Sequence, residues 1–201
     1  HGDSAVCAQL TEIKAANKLK MFISYIIDYL GPEGTLVVPT FSYSFTKNET
    51  FDVDNTKSTI GKFSEYFRTF PGVARSSHPI FSIAAIGKNK DMFMDTTIKD
   101  CFGEGSSFDL LYKLDGKLMN LGCNFNLTFA HYVEQKAKVN YRYYKNFEVV
   151  VISNSKKIYT KTRYFVGKKK IKYSLNLDCL KRKLVEKNKI RIVPFGRFAS
   201  Y

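Results

Sequence analysis

The sequence predicts an α/β protein, a three-layer α/β/α arrangement around a mixed sheet, and three observations carry that expectation. Apolar residues recur at helical spacing (Leu10, Ile13, Leu19, Phe22, Ile23, Ile26, Ile27, Leu30), as a helix with one core-facing stripe requires. Two short, nearly continuous apolar runs, Thr35 to Phe41 and Phe81 to Ile86, have the mark of strands buried on both faces. Beyond residue 140 the pattern changes to strand-like stretches divided by turn residues, which adds hairpins to the alternation of helix and strand.

The elements follow in order. The first helix stops at Gly31 and Pro32, a C-terminal signal because glycine accepts the left-handed conformation and proline cannot continue the helix. Residues 42–58 are polar and irregular, and Ile60 to Phe70 reads as a short amphipathic helix closed by Pro71 and Gly72. Ser106 with Asp109 three residues later makes a capping-box start for a helix through Leu114. Lys117 to Leu121 reads as a strand that enters the loop from Gly122 to Asn126, and Thr128 then caps a helix through Glu134. Phe147 to Ile152 and Lys157 to Val166 read as strands, Leu177 to Lys187 as a basic helix, and Ile190 to Phe195 as a last strand.

A chain of 201 residues that is 44% hydrophobic, 25% charged and 15% aromatic excludes disordered, collagen-like and coiled-coil classes. It predicts a single domain over 1–201, with a basic, hairpin-rich portion from about 140. The longest apolar stretch, Met21 to Ile27, is far too short for a membrane span, and no basic-then-apolar leader precedes it. The expectation is a cytoplasmic protein with no membrane partner. Cys7, Cys101, Cys123 and Cys179 form no CxxC pair, so ordinary buried thiols are expected, with neither a disulfide framework nor a zinc site.

The net charge of +14 is unevenly placed, because residues 136–201 hold 19 Lys and Arg against 3 acids while residues 1–135 hold 13 against 15. Interleaved aromatics such as Tyr143, Tyr144, Tyr159 and Phe165 admit a noncatalytic RNA- or phosphate-binding module as the alternative reading. Lysine-rich usage more often makes solvated faces, and nucleic acid is disfavoured.

The three histidines stand in suggestive contexts: His1-Gly2-Asp3-Ser4, Arg75-Ser76-Ser77-His78-Pro79, and Thr128 through His131 to Glu134. On a helix His131 and Glu134 share a face, so the carboxylate can orient the imidazole, which suits a general base. The runs GPEGTLVVPTF, PGVARSSHPIFSIAAIG, FGEGSSFDLLYKL and LMNLGCNFNLTFAHYVE together resemble the aminoglycoside 3-N-acetyltransferase (antibiotic N-acetyltransferase) family. The R-S-x-H-P run and the T-x-x-H-x-x-E run are the most specific, and the resemblance covers about residues 1 to 148.

That resemblance implies an acetyl-CoA-dependent transfer to a primary amine of an amino sugar, on an α/β/α fold and without a metal, with coenzyme A and a small amine as partners. It assigns His131 and Glu134 to catalysis and matches His78 to the family's histidine before proline, here expected to contact the acceptor. It places His1 and Ser4 near the coenzyme. Asp3, Glu65 and Glu104 are candidates to hold the acceptor amine. A backbone N–H or the hydroxyl of Ser77 or Thr128 is a candidate for the thioester oxygen, and both hydroxyls are expected on the coenzyme side. The basic balance favours a nucleotide-linked amino sugar of surface polysaccharide synthesis over a polycationic aminoglycoside.

Overall fold

The helical spacing near the start of the chain becomes α1, Ala15–Leu30, in the computed structural model, which describes residues 14–44, 49–121, 125, 127–168, 177–195 and 198–200. Its C-cap is Gly31 at φ 66°, whose N–H reaches the carbonyls of Ile27 and Asp28, so the glycine-proline stop works as expected. Residues 10–13 of the predicted helix lie outside the described residues.

Strands β1 (Thr35–Pro39) and β4 (Ile83–Gly87) pair antiparallel, and β3 (Ala74–Arg75) lies on the other edge of β4. The period-2 alternation of these strands divides the core in two. Leu36, Val38, Ala84 and Ile86 pack with Phe22 and Ile23 of α1 and with Phe63 and Phe67 of α2 (Lys62–Arg68). Val37, Ile83 and Ala85 face the opposite cluster. There they meet Phe93 of α3 (Lys90–Met94), Phe108 of α4 (Ser107–Lys113) and Tyr132 of α5 (Ala130–Lys136). Helices therefore cover both faces, which is the expected layering. Gly87 sits at φ 117°, where a Cβ would collide with the Gly34 backbone, so only glycine fits the end of β4.

The second sheet supplies the mixed character. Strand β2 (Phe51–Asp52) is parallel to β5 (Arg142–Ser153), which pairs antiparallel with β6 (Lys156–Gly167). This hairpin is joined to the core on several sides. Arg163 N–H donates to the Lys99 carbonyl at 2.8 Å and the Cys101 N–H to the Arg163 carbonyl at 2.9 Å, while Tyr164 meets Phe81 edge-on at 5.3 Å. The buried Arg75 guanidinium donates to the carbonyls of Thr40, Val53 and Thr56 and lies 4.9 Å from the Phe51 ring centroid. One side chain thus ties the irregular segment after β1 to both sheets. Farther on lie α6 (Leu177–Glu186) and the small β7–β8 pair, Val193–Phe195 with Phe198–Ser200.

The Ser106 start of α4 is present: its Oγ accepts the Asp109 N–H at 3.2 Å. Asp109 reaches back one residue farther than the usual box, to the Gly105 N–H at 2.9 Å. Two expectations are corrected. Lys117 to Leu121 is no strand, because Leu118 and Met119 lie in solvent and only Leu121 takes part in β pairing, as a single residue. Thr128 does not cap α5, because the cap position is Phe129 and no side chain caps there. The N–H groups of Ala130, His131 and Tyr132 are instead met by the carbonyls of Leu127, Thr128 and Phe129, a tight turn leading into the helix.

Candidate active site

The first turns of α5 carry the site. Tyr132 and Ala130 bury one side of the helix, which leaves His131 at the core's edge with its side chain 26% exposed and fixes Glu134 at 7%. Three residues make almost one turn, so the two side chains lie side by side, and His131 Nδ1 stands 2.6 Å from Glu134 Oε2. A carboxylate only accepts, so Nδ1 carries the hydrogen and Nε2 is left with its lone pair. The edge of the Phe102 ring lies against the imidazole, with centroids 5.5 Å apart. Such an arrangement can steer an imidazole from one nitrogen, as an oriented base requires.

Glu134 is itself held. Tyr141 Oη donates to Oε1 at 3.0 Å and Arg142 Nε stands 2.9 Å from Oε2. The sequence reading places neither residue in the acetyltransferase site. Their signal is the run Val139 to Tyr143, which has a family-like look and gives no hint that the chain turns back onto α5.

The other expected residues are dispersed. His78 is buried at 3%, and its Nδ1 accepts the N–H groups of Ile80 and Phe81 at 3.2 and 3.0 Å. Burial lowers its pKa to about 4, against the field of Asp100. Phe81 and Phe102 lie between it and His131, so the two histidines do not meet. Glu65 pairs with Arg68 at 2.6 Å and accepts the Ser58 N–H at 2.7 Å, and the bond from Arg68 holds its carboxyl below the usual range. Ser77 is half-buried and lines a cleft of about 580 Å³ together with Arg68, Arg75, Asp54 and Asp95. Glu104 is exposed in the turn before α4, and Thr128 is half-buried just ahead of α5. His1, Asp3 and Ser4 lie outside the described residues, as do Cys7 and Cys123.

Cys101 is buried, and burial pushes its thiol up, so it stays protonated and unreactive. Among the described residues no group of three His, Cys, Asp or Glu side chains could hold a metal, and no helix is long and apolar enough to cross a membrane.

An α/β/α fold with a carboxylate-oriented histidine at the start of a short helix defines the class to which comparison can be made. The sequence profile of the aminoglycoside 3-N-acetyltransferase family matches residues 7–200, and the chain belongs to that family. Aminoglycoside N(3)-acetyltransferase IV of Salmonella sp is 34% identical over 116 residues, which cover 56% of this chain and 43% of that protein. The chain spans about half the length of the curated relatives it matches. The crystal structure of aminoglycoside acetyltransferase AAC(3)-Xa superposes with a TM-score of 0.79 at 21% identity, covering 92% of this chain and 75% of that one. AAC-IIIb in a binary complex with CoASH gives 0.71 at 22% identity, covering 85% and 72%. These two structures share the fold with this chain.

Proposed function

We propose that the protein is an acetyl-CoA-dependent N-acetyltransferase that acetylates a primary amine of an amino sugar, with His131 as the general base. The observation that carries this reading is the 2.6 Å contact between His131 Nδ1 and Glu134 Oε2, which leaves Nε2 as proton acceptor on a partly exposed ring. Membership of the family and the likeness to a CoASH-bound relative support acetyl-CoA as the donor.

Acetyl-CoA supplies a thioester whose carbonyl carbon takes the new C–N bond while its C–S bond breaks. Nε2 of His131 removes the proton from the attacking amine, and the imidazolium then gives that proton to the departing thiolate. Glu134 faces the imidazolium formed between those events and lowers its cost. Ser77, Thr128 and, from the sequence, His1 and Ser4 are the candidates on the coenzyme side, and Glu104 is an exposed candidate for the amine. Glu65 and His78 are already engaged with Arg68 and with backbone N–H groups, which favours a supporting role for both.

The acceptor we favour carries phosphate, as a nucleotide-linked amino sugar does. The support is local. Each carboxylate that the side chains of α5 carry or touch already has a cationic partner: Glu134 with Arg142, Asp100 with Arg163, and Asp109 with Lys113. None of the three is left to neutralise the several ammonium groups of an aminoglycoside.

The test is His131→Gln in a thiol-release assay with acetyl-CoA and a panel of aminoglycosides and nucleotide-linked amino sugars. Transfer is expected to fall about 10²- to 10⁴-fold, the usual weight of a general base, with an unchanged far-UV spectrum. A folded variant with most of its turnover refutes the assignment.

A further inference from the structure

The polar contacts of Glu134 reach beyond the histidine. Both carboxylate oxygens are engaged: Oε1 accepts the Tyr141 hydroxyl at 3.0 Å, Oε2 lies 2.6 Å from His131 Nδ1, and the Arg142 guanidinium stands beside Oε2 as an ion pair, its Nε 2.9 Å away. The carboxylate is 7% exposed and the Arg142 side chain 8%, so solvent screens this cluster little. Arg142 is not free to follow Glu134 either, because its NH1 donates to the Phe165 carbonyl of β6 at 3.1 Å. Tyr141 and Arg142 adjoin one another where β5 begins, and the main-chain carbonyl of Tyr141 accepts the Lys168 N–H at 3.1 Å. The root of the hairpin is thus a fixed platform, and from it one hydroxyl donor and one guanidinium charge reach the acid on α5.

A carboxylate held only by His131 would rotate about its terminal torsion, which is broad and nearly two-fold. The Tyr141 hydroxyl bonded to one oxygen and the Arg142 guanidinium charge beside the other restrict that freedom and favour the orientation that points Oε2 at Nδ1. The two partners differ in kind. Arg142 brings a positive charge, and Tyr141 brings one neutral hydroxyl that donates a hydrogen bond.

We propose that Tyr141 and Arg142 are positioning residues of the reaction: they clamp Glu134 so that it holds the His131 imidazole with Nδ1 bonded and Nε2 presented to the amine. The basic hairpin then has a role in the active site through its root, by aiming a base on another element. For its kinetic consequences the proposal rests on the acetyltransferase reading, whereas its structural consequence does not.

Two measurements test it. The first compares steady-state acetyl transfer by the wild type, Tyr141→Phe, Arg142→Lys, Arg142→Gln, Glu134→Gln and the corresponding double variants, using acetyl-CoA with the best acceptor from the panel. Loss of the clamp should lower kcat and leave both KM values within about two-fold, because the acid acts on the proton and not on binding. Arg142→Gln is expected to cost on the order of 10²-fold, as for a displaced catalytic group, and Tyr141→Phe about 10-fold, one hydrogen bond to a charged group. Arg142→Lys should recover part of the loss. In the Glu134→Gln background both effects should shrink to a few-fold, since positioning residues act through the acid they hold.

The second measurement needs no turnover. In ¹⁵N-histidine-labelled protein the His131 Nδ1–H should appear as a far-downfield proton in the wild type and weaken or vanish in Tyr141→Phe and Arg142→Gln. If the wild type transfers no acetyl group yet this signal behaves as described, the acetyltransferase reading falls and the clamp stands. Folded variants that keep the signal and wild-type kcat, or losses that simply add to that of Glu134→Gln, overturn the clamp. Should Arg142→Gln fail to fold, Tyr141→Phe, which removes one hydroxyl, decides by the same two criteria.

Discussion

Acidification is the sharpest probe of His78. The ring is buried with Nδ1 accepting two backbone N–H groups, so protonation would replace an acceptor with a donor facing donors. Burial accordingly lowers its pKa from 6.5 to about 4. The unfolded chain therefore binds a proton that the folded chain refuses between those values, and stability falls as pH falls through that window. Above the unfolded value the effect is fully absent. At pH 5 about nine-tenths of the folded rings are still neutral, and the loss from this group alone works out at about 2 kcal/mol. The comparison stays at or above pH 5 because Glu65 and Asp109 have depressed folded pKa values and carry stability that is lost only at lower pH, on protonation from below their ordinary 4.5 and 3.8. Urea unfolding at pH 7, 6 and 5 of the wild type and of His78→Asn, whose side-chain oxygen can accept the same N–H groups, isolates the effect. The wild type should lose about 2 kcal/mol more than the variant between pH 7 and 5. Parallel losses in the two proteins would show that His78 is protonated as readily in the fold as outside it, and the argument from its buried acceptor would be wrong.

Two further outcomes are expected. Ser106→Ala removes the side-chain acceptor for the Asp109 N–H and should destabilise by about 1 kcal/mol, read as a fall of about 2–4 °C in calorimetric Tm; an unchanged Tm would mean that the cap is not holding α4. KM for a phosphate-bearing acceptor should rise with ionic strength, because salt screens attraction between exposed charges, while a polycationic drug should show little trend or the reverse. Efficient acetylation of the drug with a KM that falls at low salt would remove the case for an anionic acceptor.

How much of this was legible depends on how local the determinants are. The α1 stripe and its Gly31 stop, the Ser106 cap and the His131–Glu134 pair are set by residues within one or two turns of each other, and the sequence displays them. Lys117 to Leu121 misled because a short stretch with three apolar residues shows only that a segment can present an apolar side; whether an open sheet edge stands beside it is a tertiary fact. The two-residue strands β2 and β3 are invisible for the converse reason, since their pairing belongs to the long strands they join. Arg75, read as part of the R-S-x-H-P run, is a buried tie whose four partner residues stand 7 to 35 residues away. Spacing cannot reveal contacts of that kind. Tyr141 and Arg142 escaped notice similarly, being defined by where β5 starts relative to α5.

Net charge proved a poor guide to the place where charge matters. The hairpin belongs to the strongly basic third of the chain, yet at its root the two arginines are matched: Arg142 with Glu134, and Arg163 with Asp100 at 2.7 Å from its Nε. Toward the tip, Lys156, Lys157 and Tyr159 are exposed, and the Lys161–Glu148 pair is too open to solvent to count for much. The same strands thus carry a solvated basic tip and a neutralised root, in which Arg142 is buried and Arg163 is half exposed. The root bears on the histidine because the Arg142–Glu134 pair is buried against it, whereas the tip's field is screened within about 10 Å at ordinary ionic strength. On the proposed reading, an ammonium group of an acceptor would compete with Arg142, Arg163 or Lys113 at the three paired carboxylates around α5, and would meet the exposed Glu104 without such competition.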